Sequence, residues 1–197
     1  QAGMRALGVD PAREIAATAS KAGIPTLPAF FTAELAGELR SRDGAAAAIT
    51  ANNVFAHADD LKGILAGVRE LLAPDGLFVF EVSYLADVYE KTLFDTIYHE
   101  HVAYHSVQPL VSFLAANGLE LIETLRVEPH GGSLRAVAQL RGGPRPRGSS
   151  VHERIAHERR LGLDKPDTFK KFASDIDALK QELGALLRKL RSEGKRI

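Results

Sequence analysis

The sequence predicts an α/β fold in which a parallel sheet ends in an antiparallel hairpin and is followed by C-terminal helices. Three observations predict it. Short apolar runs alternate with helix-period stretches as far as Val82, the rhythm of right-handed βαβ units. Two strand-like runs, 119–127 and 133–140, then follow one another with only Glu128-Pro129-His130-Gly131-Gly132 between them, a hairpin signature. Beyond 150 the residues read as helical.

Each element has a local reason. Residues 4–9 (MRALGV) read as a strand ending at Asp10-Pro11, and 12–22 are Ala-rich and helical by propensity, with Gly23 as the stop. Residues 24–27 form a second short strand, placed at an edge by Pro25, and 30–42 a helix closed by Asp43-Gly44. The run 45–53 (AAAAITANN) is open to two readings. Its alanines favour a helix, while Ile49-Thr50, the flanking Gly44 and the βα rhythm favour a buried strand. Residues 59–73 form an amphipathic helix with Leu61, Ile64, Leu65, Val68 and Leu71/Leu72 on its apolar stripe. Pro74-Asp75-Gly76 reads as a turn before a buried strand at 77–82. Residues 83–105 leave the alternation as a long polar and aromatic stretch, and a helix at 109–117, stopped by Gly118, leads into the hairpin. The Gly-, Pro- and Arg-rich 141–150 reads as a linker. In the last segment Phe169, Phe172, Ile176, Leu179, Leu183, Leu186 and Leu190 recur three and four apart. A helix docked on its own protein is the expectation, with a dimer seam as the alternative, because three heptads are short for an independent coiled coil.

Composition narrows the function classes. The 197 residues are 45% hydrophobic and 25% charged, ordinary globular values, with 25 basic against 25 acidic residues. Zero net charge argues against broad attraction to nucleic acid or an anionic membrane. Cysteine is absent, which removes disulfides, cysteine-ligated zinc and a cysteine nucleophile from these residues. No run approaches the ~20 apolar residues of a membrane helix, and no secretory signal is visible. The chain starts at Gln1 and enters a strand-like run almost at once, so it reads as a piece of a longer protein.

Four places can carry chemistry. Asp10 and Pro11 follow the first strand, and an acid beyond a strand's carboxyl end can accept hydrogen bonds from both hydroxyls of a ribose; no G-x-G loop precedes it. Asn52, Asn53 and His57 follow the run 45–50 and can face the same crevice. Tyr98-His99-Glu100-His101-Val102-Ala103-Tyr104-His105 holds three of the seven histidines, two tyrosines and an acid. If helical, it puts Tyr98, His101 and Tyr104 or His105 on one face; if extended, His99, His101 and His105 share a side. A general base suits these residue types better than a metal, since imidazole takes a proton near neutrality, a carboxylate orients it and a phenol donates to a developing oxyanion. His130, Ser133 and Arg135 sit at the hairpin turn, where Gly131 and Gly132 permit close approach of a ligand.

Taken in order, GVDP (8–11), NNVFAHADD (52–60), LAPDGLFVFEV (72–82), IYHEHVAYHS (97–106) and PHGGSLR (129–135) resemble the sugar C-methyltransferase family, S-adenosylmethionine-dependent enzymes of the C-3 type acting on nucleotide-linked keto-sugars. GVDP and LAPDGLFVFEV are generic for class I methyltransferases; NNVFAH, YHEH and HGGSLR in this order are far more specific. The resemblance implies a Rossmann-like class I methyltransferase sheet. It implies a partial methyltransferase domain at 1–141 lacking its first strand and glycine loop, a linker at 142–150, and at 151–197 the helical start of a C-terminal nucleotide-sugar-binding domain. Zinc is expected only in a cysteine-rich N-terminal domain outside this chain. By resemblance, His101 is the base that forms an enolate beside the sugar ketone, Tyr98 and Glu100 assist it or bind the sugar, and His57 is a second candidate. Asp10, Pro11, Asn52 and Asn53 hold the cofactor, and His130, Ser133 and Arg135 the sugar substrate, with no metal required. The expected setting is deoxysugar biosynthesis in the cytoplasm, without nucleic acid or membrane; monomer and homodimer both stay open. O- or N-methylation of another small molecule, a nucleotide-binding Rossmann module and a non-catalytic scaffold are the alternatives.

Overall fold

The computed structural model describes residues 3–196; residues 1, 2 and 197, on which the reading of both chain ends bears, lie outside the described residues. The chain runs β1 (Gly8–Val9), α1 (Arg13–Lys21), β2 (Thr26–Leu27), α2 (Ala33–Asp43), β3 (Ala46–Asn52), α3 (Leu61–Leu71) and β4 (Leu72–Ser83). It continues through α4 (Leu85–Glu90), α5 (Val107–Ala116), β5 (Leu119–Val127), β6 (Ser133–Leu140), α6 (Ser149–Leu161) and α7 (Pro166–Ser192).

β1 and β2 pair in parallel as a two-stranded sheet, and the remaining strands lie in the order β3-β4-β6-β5. β3 and β4 are parallel, whereas β6 runs antiparallel to both β4 and β5. The parallel sheet therefore does end in the hairpin. The strand expected at 4–9 is shorter, because only Gly8 and Val9 find partners, in Thr26 and Leu27.

The Ala-rich run resolves as strand. Ala48 to Asn52 pair in register with Leu77 to Glu81, so cross-strand pairing overrides alanine's helix preference. The Pro74-Asp75-Gly76 turn is corrected: these residues lie within β4, as a bulge. Ala46 pairs with Leu72 and Ala48 with Leu77, so two steps along β3 span five along β4. α2 and α3 begin as expected of capped helices, with the Thr32 hydroxyl accepting from Leu35 N and Asp60 Oδ1 from Gly63 N at 2.8 Å.

The core lies between the four-stranded sheet, α3 and α5. Phe55, Phe78 and Phe80 are fully buried, and their rings pack at centroid distances of 4.9 to 6.2 Å. Leu65 and Val68 from the α3 stripe, Leu110 and Leu114 from α5, and Leu121 and Leu134 from the hairpin close around them. Each such side chain contributes roughly 1.5–3 kcal/mol by burial, and together they make a rigid floor under the segment that follows Asn53.

The linker expected at 141–150 is pinned. Gly148 N donates to Ile122 O at 2.8 Å, Arg147 Nε to Leu121 O at 3.1 Å and Thr124 N to Ser150 Oγ at 3.0 Å. β5 is an edge strand, and the glycine- and proline-rich segment satisfies polar groups that the sheet leaves unpaired. α7 departs from the docked expectation. Phe172 meets Tyr89 at 6.0 Å between ring centroids, but Leu183 and Leu186 farther along stay 55% and 51% exposed. No helix among the described residues is long and apolar enough to cross a membrane.

Candidate active site

In the polar stretch after β4, residues 98–105 form neither the helix nor the extended strand considered from their sequence. The stretch folds as α4, a 3₁₀ turn at Phe94–Thr96 and an irregular loop that returns to the core. The loop rests on the segment leaving β3, where Ala56 O accepts from Val102 N at 3.1 Å and Ala103 N at 3.3 Å. A single turn, His101 N to Tyr98 O at 3.0 Å, produces the grouping expected of a helix. The His101 ring stands 4.4 Å from that of Tyr98 and 5.8 Å from that of Tyr104.

His57 and His101 meet at 4.8 Å between ring centroids. His57 Nδ1 lies 2.8 Å from the Glu100 carbonyl, and His101 Nδ1 lies 2.8 Å from the Thr96 carbonyl. A carbonyl only accepts, so this geometry assigns the proton of each neutral ring to Nδ1 and leaves the lone pair on Nε2. The Tyr98 hydroxyl lies 3.3 Å from His101 Nε2, placed to donate to it. The Tyr104 hydroxyl donates to Thr96 O at 2.6 Å, and burial pushes its ionisation to higher pH against that bond's opposite pull. Glu100 therefore acts on the site through its main chain: it is the carbonyl, not the carboxylate, that orients His57.

The hairpin turn comes to the same end of the sheet. Asn53 Nδ2 lies within 3.5 Å of His130 Nε2, and Lys91 Nζ donates to Gly131 O. Asn53, Thr92 and His130 are the non-glycine residues with left-handed backbone among those described, at φ 53°, 52° and 55°. Strain of this kind costs of order 1–3 kcal/mol per residue and gathers at functional sites. Beneath the turn the fully buried Asp87 receives Arg126 Nε at 2.9 Å, Arg126 Nη2 at 2.7 Å and Lys91 Nζ at 2.6 Å. Burial pushes the Asp87 carboxyl up, but these cations outweigh it and hold it below the usual carboxylate range.

The other candidates fall in different places. Asp10 stands at the carboxyl end of β1, its Oδ1 accepting from Ala12 N at 2.8 Å, with the exposed Pro11 beside it. Asn52 is exposed at the end of β3. Two residues expected to contact the substrate are engaged within the sheet and the turn. Ser133 is fully buried and its hydroxyl donates to Pro129 O at 3.1 Å, so it closes the turn from inside. Arg135 is paired across the sheet to Glu81 Oε2 through Nη2 at 2.9 Å and Nε at 3.1 Å. The Thr96 carbonyl and Asp87 were missed. A main-chain acceptor has no sequence signature, and a lone Asp in a short helix looks like any surface acid. Among the described residues, no three His, Cys, Asp or Glu come together to hold a metal ion.

Comparison with known proteins agrees with the fold. Residues 1–124 match a family profile described as "Methyltransferase domain", and residues 128–197 one described as "C-methyltransferase C-terminal domain". The chain is 37% identical over all 197 residues to C-methyltransferase NovU of Streptomyces niveus, and it spans 47% of that relative's length. A SAM-dependent methyltransferase from Anabaena variabilis superposes with a TM-score of 0.54 at 16% identity, covering 69% of this chain and 68% of that one. Magnesium protoporphyrin IX methyltransferase from Synechocystis, solved with bound SAH, gives a TM-score of 0.52 at 14% identity over 70% and 65%. These two likenesses establish a class I methyltransferase fold. The chain belongs to the S-adenosylmethionine-dependent methyltransferase family, and its last third carries the C-methyltransferase C-terminal sequence.

Proposed function

We propose that the complete protein transfers a methyl group from S-adenosylmethionine to carbon, beside the ketone of a nucleotide-linked sugar, in deoxysugar biosynthesis in the cytoplasm. The observation that carries this reading is the His101 imidazole, whose Nδ1 is tied to a carbonyl and whose Nε2 lone pair lies beside a phenol. A proton beside a ketone is acidic because its loss is shared with the carbonyl. His101 Nε2 takes that proton, and the Thr96 carbonyl steadies the imidazolium that forms. The Tyr98 hydroxyl, released from His101, is placed to donate to the enolate oxygen. His57, held by the Glu100 carbonyl, lines the same space and is available to relay the proton outward. S-adenosylmethionine, when bound, supplies an electrophilic methyl to the enolate carbon.

The residues present fit part of that cofactor. Asp10 uses one carboxylate oxygen on Ala12 N, and the other remains an acceptor for ribose hydroxyls. Pro11 borders it, and Asn52 and Asn53 offer side-chain amides at the end of β3. His130, facing Asn53, is the sugar contact from the hairpin.

We also assign residues 1–141 to the methyltransferase domain, 142–150 to a connector and 151–197 to the start of a nucleotide-sugar-binding domain. Among the described residues β1 and β3 each pair on one side only, which supports a further strand between them. The profiles divide the chain between 124 and 128, inside the hairpin, but β5 and β6 pair along their whole length, so the domain is kept through Arg141. The test is to incubate the complete protein with keto-sugar nucleotides in D₂O without cofactor. Deuterium entering the carbon beside the ketone, followed by a C-methyl product when S-adenosylmethionine is added, is expected. A methyl found on oxygen or nitrogen overturns the reading.

A further inference from the structure

Tyr84 and His105 form a parallel bridge at the two ends of the stretch that carries Tyr98, Glu100 and His101. Both ends converge on one carboxylate. Glu158 of α6 is 3% exposed. Its Oε1 accepts from the Tyr84 hydroxyl at 3.0 Å and from Val107 N at 2.6 Å, and its Oε2 accepts from Gln108 N at 3.0 Å. Val107 and Gln108 open α5, and Ser106 at the N-cap position makes no side-chain cap bond. An acid from another element thus satisfies amides that the helix leaves unpaired. Its neighbours on α6 lie against the same segment, and of the two Arg159 makes a hydrogen bond to it. His157 Nε2 lies 3.2 Å from Glu90 Oε1 at the end of α4, and Arg159 Nε donates to Gln108 Oε1 at 3.1 Å.

The connection reaches the reacting groups in few steps. His105, bridged to Tyr84, lies with Nε2 3.3 Å from Phe55 O, and Phe55 and Ala56 lead directly to His57. Ala56 O in turn holds Val102 and Ala103, next to His101. Burial and the charge of Glu158 push the ionisation of Tyr84 far above the usual phenol range, so Tyr84 remains a donor.

We propose that Glu158 is a positioning residue for methyl transfer, a clamp by which the C-terminal segment fixes both stems of the site loop and so the His57–His101 pair. This rests on the function proposed above for those histidines. In Glu158→Gln, an amide N–H₂ must face a main-chain N–H, so the clamp loses an acceptor while its shape is kept. Tyr84→Phe removes one bond and leaves the cap on α5. Val151→Ala loosens the packing of α6 but removes no hydrogen bond to either stem, because Val151 is a fully buried apolar member of the core.

The experiment compares the three variants in the complete protein by amide hydrogen exchange over 96–105 and by kcat and KM. In Glu158→Gln, exchange at 96–105 is expected to rise about 10- to 100-fold, the range for losing hydrogen bonds to a charged group. kcat should fall by about 10- to 100-fold with KM for the sugar nucleotide nearly unchanged, as misplacement of a reacting group predicts. Tyr84→Phe should move both in the same direction by a smaller factor, and Val151→Ala should lower Tm and move neither. Unchanged exchange at 96–105 in Glu158→Gln and Tyr84→Phe overturns the proposal, as does an equal rise in Val151→Ala. If Glu158→Gln does not fold, Tyr84→Phe against Val151→Ala decides. A wild-type protein that turns over no keto-sugar overturns the proposed function instead, and the exchange comparison still decides the clamp.

Discussion

His57 and His101 stand ring to ring at 4.8 Å, each with Nδ1 turned onto a main-chain carbonyl. The carbonyls come from Glu100 and Thr96, so the 96–101 turn orients both imidazoles at once. That arrangement leaves two Nε2 lone pairs at one place and gives the pair distinct parts. His101 has the phenol of Tyr98 beside it at 3.3 Å, whereas His57 is the more exposed.

Removing the proposed base should therefore be far worse than removing its neighbour. His101→Ala in the complete protein is expected to lower kcat by about 10²- to 10⁴-fold, the usual worth of a positioned general base. Its affinity for S-adenosylmethionine should be unchanged, because the cofactor contacts proposed at Asp10 and Asn52 lie elsewhere. Steady-state rates with calorimetry on the same preparation check both, and full turnover in His101→Ala rules out the assignment.

Asp87 ties the hairpin to α4, and its loss should act on stability. Asp87→Asn leaves Arg126 and Lys91 facing a neutral group in a site where the aspartate is fully buried. Breaking a buried pair costs about 3–5 kcal/mol, and the 30% exposure of the Arg126 side chain lowers this to about 2–3 kcal/mol. Acid should do the same. The Asp87 carboxyl is depressed in the fold, so its contribution is complete above the unfolded value of about 3.9 and is lost as pH falls through the lower folded value. Urea midpoints across pH 2–5 for both proteins should converge at the acid end.

Much of this fold was legible because its signals are periodic. The α3 stripe, the two hairpin strands and their five-residue join came out as read, and of the two readings of 45–53 the fold takes the strand that the βα rhythm favours, at Ala46–Asn52, half-exposed rather than buried. Reading failed where long-range pairing decides conformation. Pro74-Asp75-Gly76 carries turn chemistry yet sits in β4, because the slip between Ala46 and Ala48 absorbs it as a bulge. The glycines and prolines of 141–150 read as a linker, but β5 offers the segment unpaired carbonyls at Leu121 and Ile122. At the site, the clustering of His101 with Tyr98 was visible as a three-residue spacing. The roles of Thr96, Glu100 and Ala56 were not, since they act through main-chain carbonyls that every residue possesses.

His105 supplies a stability change near neutrality. Burial lowers its basicity in the fold, and the bond to Phe55 O only partly offsets this. The unfolded chain therefore takes up the proton first. The contribution of neutral His105 is complete above the unfolded value of about 6.5 and declines as pH falls toward the lower folded value. Urea midpoints should drop between pH 7.5 and 5.5, and His105→Gln, which cannot titrate, should show a shallower drop. An identical slope in the variant would remove His105 as its source.

Gly132 sets how closely the hairpin turn can approach that buried acid. A Cβ at Gly132 would lie 2.1 Å from Asp87 Cγ and 2.5 Å from Asp87 Cβ, at φ +147°. Asp87 cannot swing away cheaply, because Arg126 and Lys91 hold both its oxygens in place. The turn must move instead, carrying His130 away from Asn53 and loosening the bond from Tyr84 N to Gly132 O, at 3.3 Å in the native chain. Gly132→Ala should cost about 3 kcal/mol or more, combining overpacking with backbone strain. Gly142→Ala is the matched control, with φ +77° and nothing within 4 Å of the added carbon, so it carries strain alone at about 1–2 kcal/mol. Urea unfolding of the two variants measures the difference. Equal losses would mean that the contact with Asp87 relaxes freely and that the turn is not held against α4 by packing.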